Sequence, residues 1–302
     1  MEGGNAPVIV AESLTKFYGS TRGVEDLSFT VQPGEVFGYL GPNGAGKSTT
    51  IRTMLDLIRP TAGRVSLFGL DANADPRPIH ARIGYVPGEF GLYERLTAER
   101  YLHDFATFRG GVDPTRVTAL ADRVKLDLSV KIRELSHGNK RKVALLQAFM
   151  HEPELLVLDE PTQGLDPLVQ QEFYALVEEA KARGATVFMS SHVMPEVERV
   201  CDRVAIIREG RLVTVDDVGD LKAKAVRRIE LHFDRPVAPD AFTSLASVAS
   251  VEVRGDSLLL TVRGPVDEVI KEAARHTVVN VATHEPSLEE IFLDVYRNGG
   301  DR

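Results

Sequence analysis

Residues 41–49 read GPNGAGKST, a glycine-rich turn followed at once by a lysine and two hydroxyls. Gly41, Gly44 and Gly46 let the backbone bend sharply and turn its N–H groups toward phosphate oxygens. Pro42, Asn43 and Ala45 supply the intervening peptide. Lys47 is placed to reach the terminal phosphates, Ser48 to ligate Mg²⁺ and Thr49 to set a hydroxyl near the α-phosphate. The preceding EVFGYL reads as a short buried strand. The following TTIRTMLDLIRP reads as a helix stopped by Pro60. Strand, G-x-x-x-x-G-K-S and helix together are specific for nucleotide phosphates, because the helix N-terminus adds its partial positive charge to the loop.

A second constellation is LLVLDEP at 155–161. Four apolar residues make a buried strand, with Asp159 and Glu160 at its C-terminal end, where parallel α/β sheets bind ligands. Asp159 fits a carboxylate that holds Mg²⁺, and Glu160 a general base or water-orienting group. A solvent-facing acidic pair would explain this segment alone; beside a phosphate loop the chemical reading is stronger.

LSHGNKRK at 135–142 poses a harder question. Ser136-His137 is not a hydrolase pair. Adjacent residues at a loop-to-helix turn point in different directions, and no acidic third member is evident. NKRK lacks the aspartate of a guanine-reading Asn-Lys-x-Asp. A second anion site and a polar helix start both remain open, with Lys140, Arg141 and Lys142 read as that helix's solvated face.

These motifs need a parallel sheet with helices between its strands. VIVAESLTKFYG, VEDLSFTVQPGE, GRVSLFG, IGYVP and TVFMSS read as strands, helical patterning runs from about Thr97 to Met150, and a helix spans roughly 168–183. RVAIIREGRLVTV is a hairpin around Glu209-Gly210. GDLKAKAV at 219–226 reads as a joining segment. The tail then runs strand, two strands, helix, strand, which fits a small α+β, ferredoxin-like domain.

Residues 1–225 carry 27 Lys/Arg against 31 Asp/Glu, and residues 226–302 carry 9 against 13. Neither part has the basic excess of a nucleic-acid binder, so no nucleic-acid partner is expected. The single cysteine, Cys201, sits in an apolar context, reads as a buried structural thiol and points to an intracellular compartment. The N-terminus has no signal-peptide pattern. No run approaches the ~18 apolar residues of a membrane helix. His80, His103, His151, His232, His276 and His284 lack ligand-like spacing, so no protein-only metal site is expected.

Over roughly residues 8–225 the order of motifs resembles the ATP-binding subunits of ABC transporters. KFYG is similar to the family's A-loop, LSHGN to its signature, GLDP to its D-loop and SSH at 190–192 to its switch region. The resemblance implies an α/β fold with a RecA-like core, an antiparallel β subdomain and a helical subdomain at about 88–150. Domains are expected at 1–225 and 226–302. It implies that Tyr18 stacks on adenine and that Lys47, Glu160 and His192 are catalytic, with ATP and Mg²⁺ as cofactors. It further implies that Ser136, His137, Gly138 and Asn139 serve ATP held by a second subunit in a head-to-tail homodimer, with Asp166 as the acidic D-loop residue. PSLEEIFLDVYR at 286–297 is similar to the end of the accessory domain in ABC-2-type drug and antibiotic exporters of the daunorubicin-resistance-like group. A separate ABC-2-type permease at the cytoplasmic face of the membrane, and efflux of drugs, antibiotics or lipid-like compounds, are then expected.

Two stretches depart from the family pattern. The Q-loop glutamine is replaced by Gly88, followed by Glu89, and the signature has His137 and Asn139 where Gly and Gln are usual. Glu89 is either a partial replacement for the glutamine or a contact to the permease. The rival functions are a regulatory nucleotide sensor with little turnover and a soluble ABC protein acting on ribosomes or DNA. The latter would call for tandem cassettes or basic inserts, and this chain has one cassette and an acidic balance.

Overall fold

Val36–Leu40 and Leu155–Asp159 are buried at every position, as strands covered on both faces must be. They lie at the centre of the first of two units in the computed structural model, which describes residues 6–74, 76–89, 91–224 and 227–284. The units divide at Val215/Asp216.

The first unit opens with β1 (Ile9–Tyr18) and β2 (Thr21–Val31), then β3 (Val36–Leu40), α1 (Lys47–Met54), β4 (Ala62–Leu67) and β5 (Leu70–Asp71). A short α2 (Arg77–His80) and β6 (Ile83–Val86) lead into three helices, α3 (Ala98–Phe108), α4 (Pro114–Arg123) and α5 (His137–Phe149). The chain continues through β7 (Leu155–Asp159), α6 (Pro167–Ala182), β8 (Thr186–Ser191), α7 (Met194–Val200), β9 (Arg203–Arg208) and β10 (Arg211–Asp217). One sheet has the order β2-β1-β4-β5, the other β10-β9-β3-β8-β7-β6. In the second sheet β9, β3, β8, β7 and β6 are parallel neighbours, and β10 returns as a hairpin on β9.

An aromatic stack joins the two sheets. Phe29 of β2 lies 5.8 Å from Phe37 of β3 and 6.1 Å from Phe188 of β8, and Tyr39 lies 5.3 Å from Phe188. Large rings in offset contact bury much apolar area and add a stacking attraction.

The helix after the phosphate loop ends at Met54, not at Pro60. Asp56 adopts a left-handed φ of 55°, and the Leu57 N–H bonds the Arg52 carbonyl at 2.8 Å. That pattern closes a helix end without proline.

The second unit contains α8 (Val218–Lys224), β11 (Arg227–Phe233), α9 (Asp240–Thr243), β12 (Val248–Arg254), β13 (Ser257–Val262), α10 (Asp267–Ala273) and β14 (Val278–His284). Its sheet order is β12-β13-β11-β14, antiparallel at every pairing. This is the split βαβ order of ferredoxin-like folds. Alternate β11 residues Ile229, Leu231 and Phe233 face a core with Phe242, Leu260 and Val269. The PSLEEIFLDVYR stretch at 286–297 lies outside the described residues.

Removing the ring at the centre of the stack tests this reading. Phe188→Ala is expected to destabilise the first unit by about 3–5 kcal/mol, measured as a lower urea midpoint by circular dichroism.

Candidate functional site

The register of three parallel strands brings the sequence motifs to one edge. Leu40 pairs with Ser191, and Asp159 pairs with Ser190. The loop after β3, the acidic pair ending β7 and the histidine after β8 therefore emerge side by side.

Gly46 ends the loop at a φ of 105°, and a Cβ there would lie 2.7 Å from the Gly23 carbonyl oxygen. Only glycine combines that conformation with that approach. Lys47 is 6% exposed. Its Nζ donates to the Gly41 carbonyl at 2.6 Å and the Pro42 carbonyl at 3.2 Å, so the side chain curls back over the loop. Thr50 donates to the Gly46 carbonyl and lies 3.1 Å from the Tyr39 hydroxyl, which burial pushes well above the ordinary tyrosine range. A cavity of about 320 Å³ opens above the loop, lined by Tyr18, Arg22, Asn43, Gly44, Lys47, Ser48, Thr49 and Glu160. Tyr18 is half exposed at the mouth, with Lys16 Nζ 5.3 Å from its ring centre.

Asp159 is buried, and its Oδ1 accepts from Ser190 Oγ at 2.6 Å. Ser190 also receives the Glu160 N–H, at 3.1 Å. One serine thus fixes both members of the acidic pair. Glu160 has a φ of 50°, a conformation that costs a non-glycine residue about 1 kcal/mol or more. Its Oε1 lies 3.0 Å from Lys47 Nζ and its Oε2 2.7 Å from His192 Nδ1. The lysine contact is an ion pair, made alongside the ammonium's hydrogen bonds to the two loop carbonyls. An ionised carboxylate only accepts, so in this contact His192 Nδ1 is the donor.

Glu196 was not singled out by the sequence. It is buried on α7, where it accepts from Ser191 Oγ at 2.8 Å and from Thr162 Oγ1. It ties the turn after Glu160 to the turn before His192. Nothing in MPEVE separates Glu196 from Glu198.

Ser136 caps α5, its Oγ accepting the Asn139 N–H at 3.2 Å, and both Ser136 and His137 are exposed. A Cβ on Gly138 would lie 2.7 Å from the Gly164 carbonyl oxygen. The signature-like turn therefore packs against the turn that precedes Asp166. Asp166 caps α6, accepting the Leu168 and Val169 N–H groups at 3.1 Å each. The cationic run that follows is not a solvated face. Arg141 and Lys142 are buried; only Lys140 sits near the surface, 3.0 Å from Glu94. Arg141 instead donates to the Pro87 and Gly88 carbonyls at 2.7 and 2.9 Å.

Gly88 faces Asp159: a Cβ built on it would lie 3.0 Å from Oδ2. Glu89 is exposed and lines a different cavity of about 350 Å³, with Leu57, His80, Tyr101, Arg109 and Gln147. The structure brings the glycine to Asp159 and sets the glutamate at this second cavity. Of the remaining histidines, His80 and His151 contact the Leu55 and Ile83 carbonyls and His276 packs edge-on against Phe233.

A parallel sheet that delivers a phosphate-binding loop, an acidic pair and a histidine to one edge defines a P-loop ATPase. Residues 24–163 match the family model described as ABC transporter. The chain is 34% identical over 301 residues to the bacitracin transport ATP-binding protein BcrA of Bacillus licheniformis, covering 97% of this chain and 98% of that one. It is 33% identical to the linearmycin resistance ATP-binding protein LnrL of Bacillus subtilis, covering 95% and 98%. A solved ATP-binding subunit of an ABC transporter superposes with a TM-score of 0.66 at 32% identity, over 71% of this chain and 92% of its own. The chain belongs to the ABC transporter ATP-binding proteins, and it binds and hydrolyses ATP.

Two outcomes follow from the geometry. Gly138→Ala forces a methyl against the Gly164 carbonyl and should lower stability by about 1–3 kcal/mol, read from chemical denaturation. Glu89→Ala should leave the kcat and Mg²⁺ dependence of the isolated chain unchanged, as a magnesium titration of ATPase activity will show.

Proposed function

We propose that the chain hydrolyses MgATP as a head-to-tail homodimer and powers export of antibiotics or other amphipathic compounds through a separate ABC-2-type permease, at the cytoplasmic face of the membrane. The observation that carries the export reading is full-length likeness, second unit included, to the bacitracin and linearmycin proteins. Among the described residues no helix is long and apolar enough to cross a membrane, which fits a partner that provides the passage. The cavity beside Glu89, lined also by the exposed Leu57, is the docking face we assign to that partner.

In this reading Tyr18 stacks on adenine. The N–H groups of residues 43–48 hold the phosphates, and Lys47 exchanges its contact with Glu160 for the β- and γ-oxygens. Glu160, freed from Lys47 and still held by His192, orients the attacking water and takes its proton. His192 Nε2 is left to contact the γ-phosphate. Asp159 and Ser48 offer the hard oxygen donors that suit Mg²⁺, which would neutralise charge on the β- and γ-phosphates. The exposed α5 N-terminus at Ser136 offers a second anion site. Its helix begins outside the chain's own nucleotide cavity, so we assign it to ATP on the partner subunit, and two such contacts close a two-fold dimer.

Glu160→Gln should bind MgATP, turn it over about 10²-fold or more slowly and accumulate as an ATP-dependent dimer in gel filtration. Near-normal turnover would reject the role. Mixing Ser136→Arg with Lys47→Ala subunits tests the trans assignment. If Ser136 acts across the interface, the mixed dimer keeps one intact site and occludes ATP above either parent's level. If it acts within its own chain, both sites fail.

A further inference from the structure

Arg141 is fully buried, although it sits in the most cationic stretch of the site. It lies one turn inside α5, the helix whose first residues form the signature-like turn. Its Nη1 and Nη2 donate to the successive carbonyls of Pro87 and Gly88 at 2.7 and 2.9 Å. A planar guanidinium suits two neighbouring acceptors; a lysine ammonium is a point charge and does not span them in the same way. The peptide so held lies beside Asp159, since a Cβ on Gly88 would lie 3.0 Å from Oδ2 and 3.3 Å from Cγ. Burial pulls the Arg141 pKa down, and the charges of Asp159 and Glu160 oppose that pull. The guanidinium therefore feels the acidic pair as well as the loop.

Glycine at 88 has no side chain to reach the site and has more backbone freedom than any other residue. Something else must fix that peptide. We propose that Arg141 is a positioning residue for hydrolysis, whose fork holds the 87–88 backbone against Asp159 and so ties the signature helix to the carboxylate assigned to Mg²⁺. The proposal rests on the assignment of Asp159 under the proposed function. It gives the task of the missing Q-loop side chain to a residue on another element. A purely structural arginine would anchor the helical region to the sheet and leave Mg²⁺ dependence alone.

The full-length chain carrying Arg141→Lys, Arg141→Gln or Gly88→Ala tests it. For each variant, ATPase activity is titrated with Mg²⁺ at saturating ATP, a fluorescent ATP analogue is bound with and without Mg²⁺, and thermal unfolding is recorded. Arg141→Lys is expected to lower kcat by about tenfold or more, as loss of an outer contact to a metal-ligating group does. Half-saturation by Mg²⁺ should rise, and analogue affinity without Mg²⁺ should stay at the wild-type value. Gly88→Ala crowds Asp159 with Arg141 intact and should shift Mg²⁺ dependence in the same direction, which covers the case in which the arginine variants do not fold. Unchanged Mg²⁺ dependence in a folded Arg141→Lys protein overturns the proposal. So does unchanged Mg²⁺ dependence in Gly88→Ala, or an equal loss of analogue affinity with and without Mg²⁺. Asp159→Asn separates the levels: if it too leaves Mg²⁺ dependence unchanged, the assignment of Asp159 fails and this proposal fails with it. If Asp159→Asn is sensitive and the other variants are not, only the role of Arg141 is lost.

Discussion

The register of β3, β8 and β7 is the constraint on which the site depends. Parallel strands end on the same side, so aligning Leu40 with Ser191 and Asp159 with Ser190 places three separate loops within reach of one another. A slip by one residue would turn Asp159 from one face of the sheet to the other. An alternating apolar pattern cannot enforce this register, because β3, β7 and β8 are buried at every position. The stack of Phe29, Phe37, Tyr39 and Phe188 supplies a shape-specific restraint instead, since a slip would break these close-packed ring contacts.

Several charged groups are buried around that edge, and burying a charge without partners costs several kcal/mol. Asp159, Glu196 and Arg141 meet hydrogen-bonding partners on other segments, and Lys47 meets carbonyls of its own loop. Loop carbonyls accept from the lysine, Ser190 donates to the aspartate, Ser191 and Thr162 donate to the second glutamate, and the 87–88 carbonyls accept from the arginine's two terminal nitrogens. Each pairing holds a loop as well as a charge. The result is a site whose dipoles are set before substrate arrives, the condition under which electrostatic stabilisation of phosphoryl transfer is strongest. The strained φ of Glu160 fits the same picture: Ser190 holds its N–H while His192 and Lys47 hold its carboxylate.

Apart from the short α8 and α9, the phosphate loop, the acidic strand end, the histidine after β8 and the strand and helix order of the second unit are legible in the sequence. Each is local: a turn that needs glycine, an apolar run that ends in acid, a helix cap, a hairpin at Glu209-Gly210. What was not legible depends on contacts between distant segments. Arg141 and Lys142 read as surface because a run of cations is usually solvated, and only the fold puts the 87–88 carbonyls beside Arg141. Glu196 looks like any acid early in a helix until Thr162 and Ser191 close on it. The end of α1 was misplaced because a left-handed aspartate ended the helix before the proline could. Which of Gly88 and Glu89 faces Asp159 is a matter of one residue's rotation in a loop, and sequence spacing carries no such information.

These contacts also bear on how α5 behaves as a unit. Its first turn is held from one side by Gly138 against the Gly164 carbonyl, four residues beyond Glu160. One turn later Arg141 grips the loop that lies against Asp159. Both members of the acidic pair are therefore mechanically linked to the same short stretch of helix, Glu160 through its own loop and Asp159 through the peptide at 87–88. Close-packed contacts of this kind resist gradual deformation and shift between discrete arrangements. An anion bound at Ser136, as proposed above, would pull on an element that touches the supports of both carboxylates, so the differential energy of that contact would be expressed at the acidic pair of the same chain. The exposed helix start and the buried acidic pair are two ends of one packed segment.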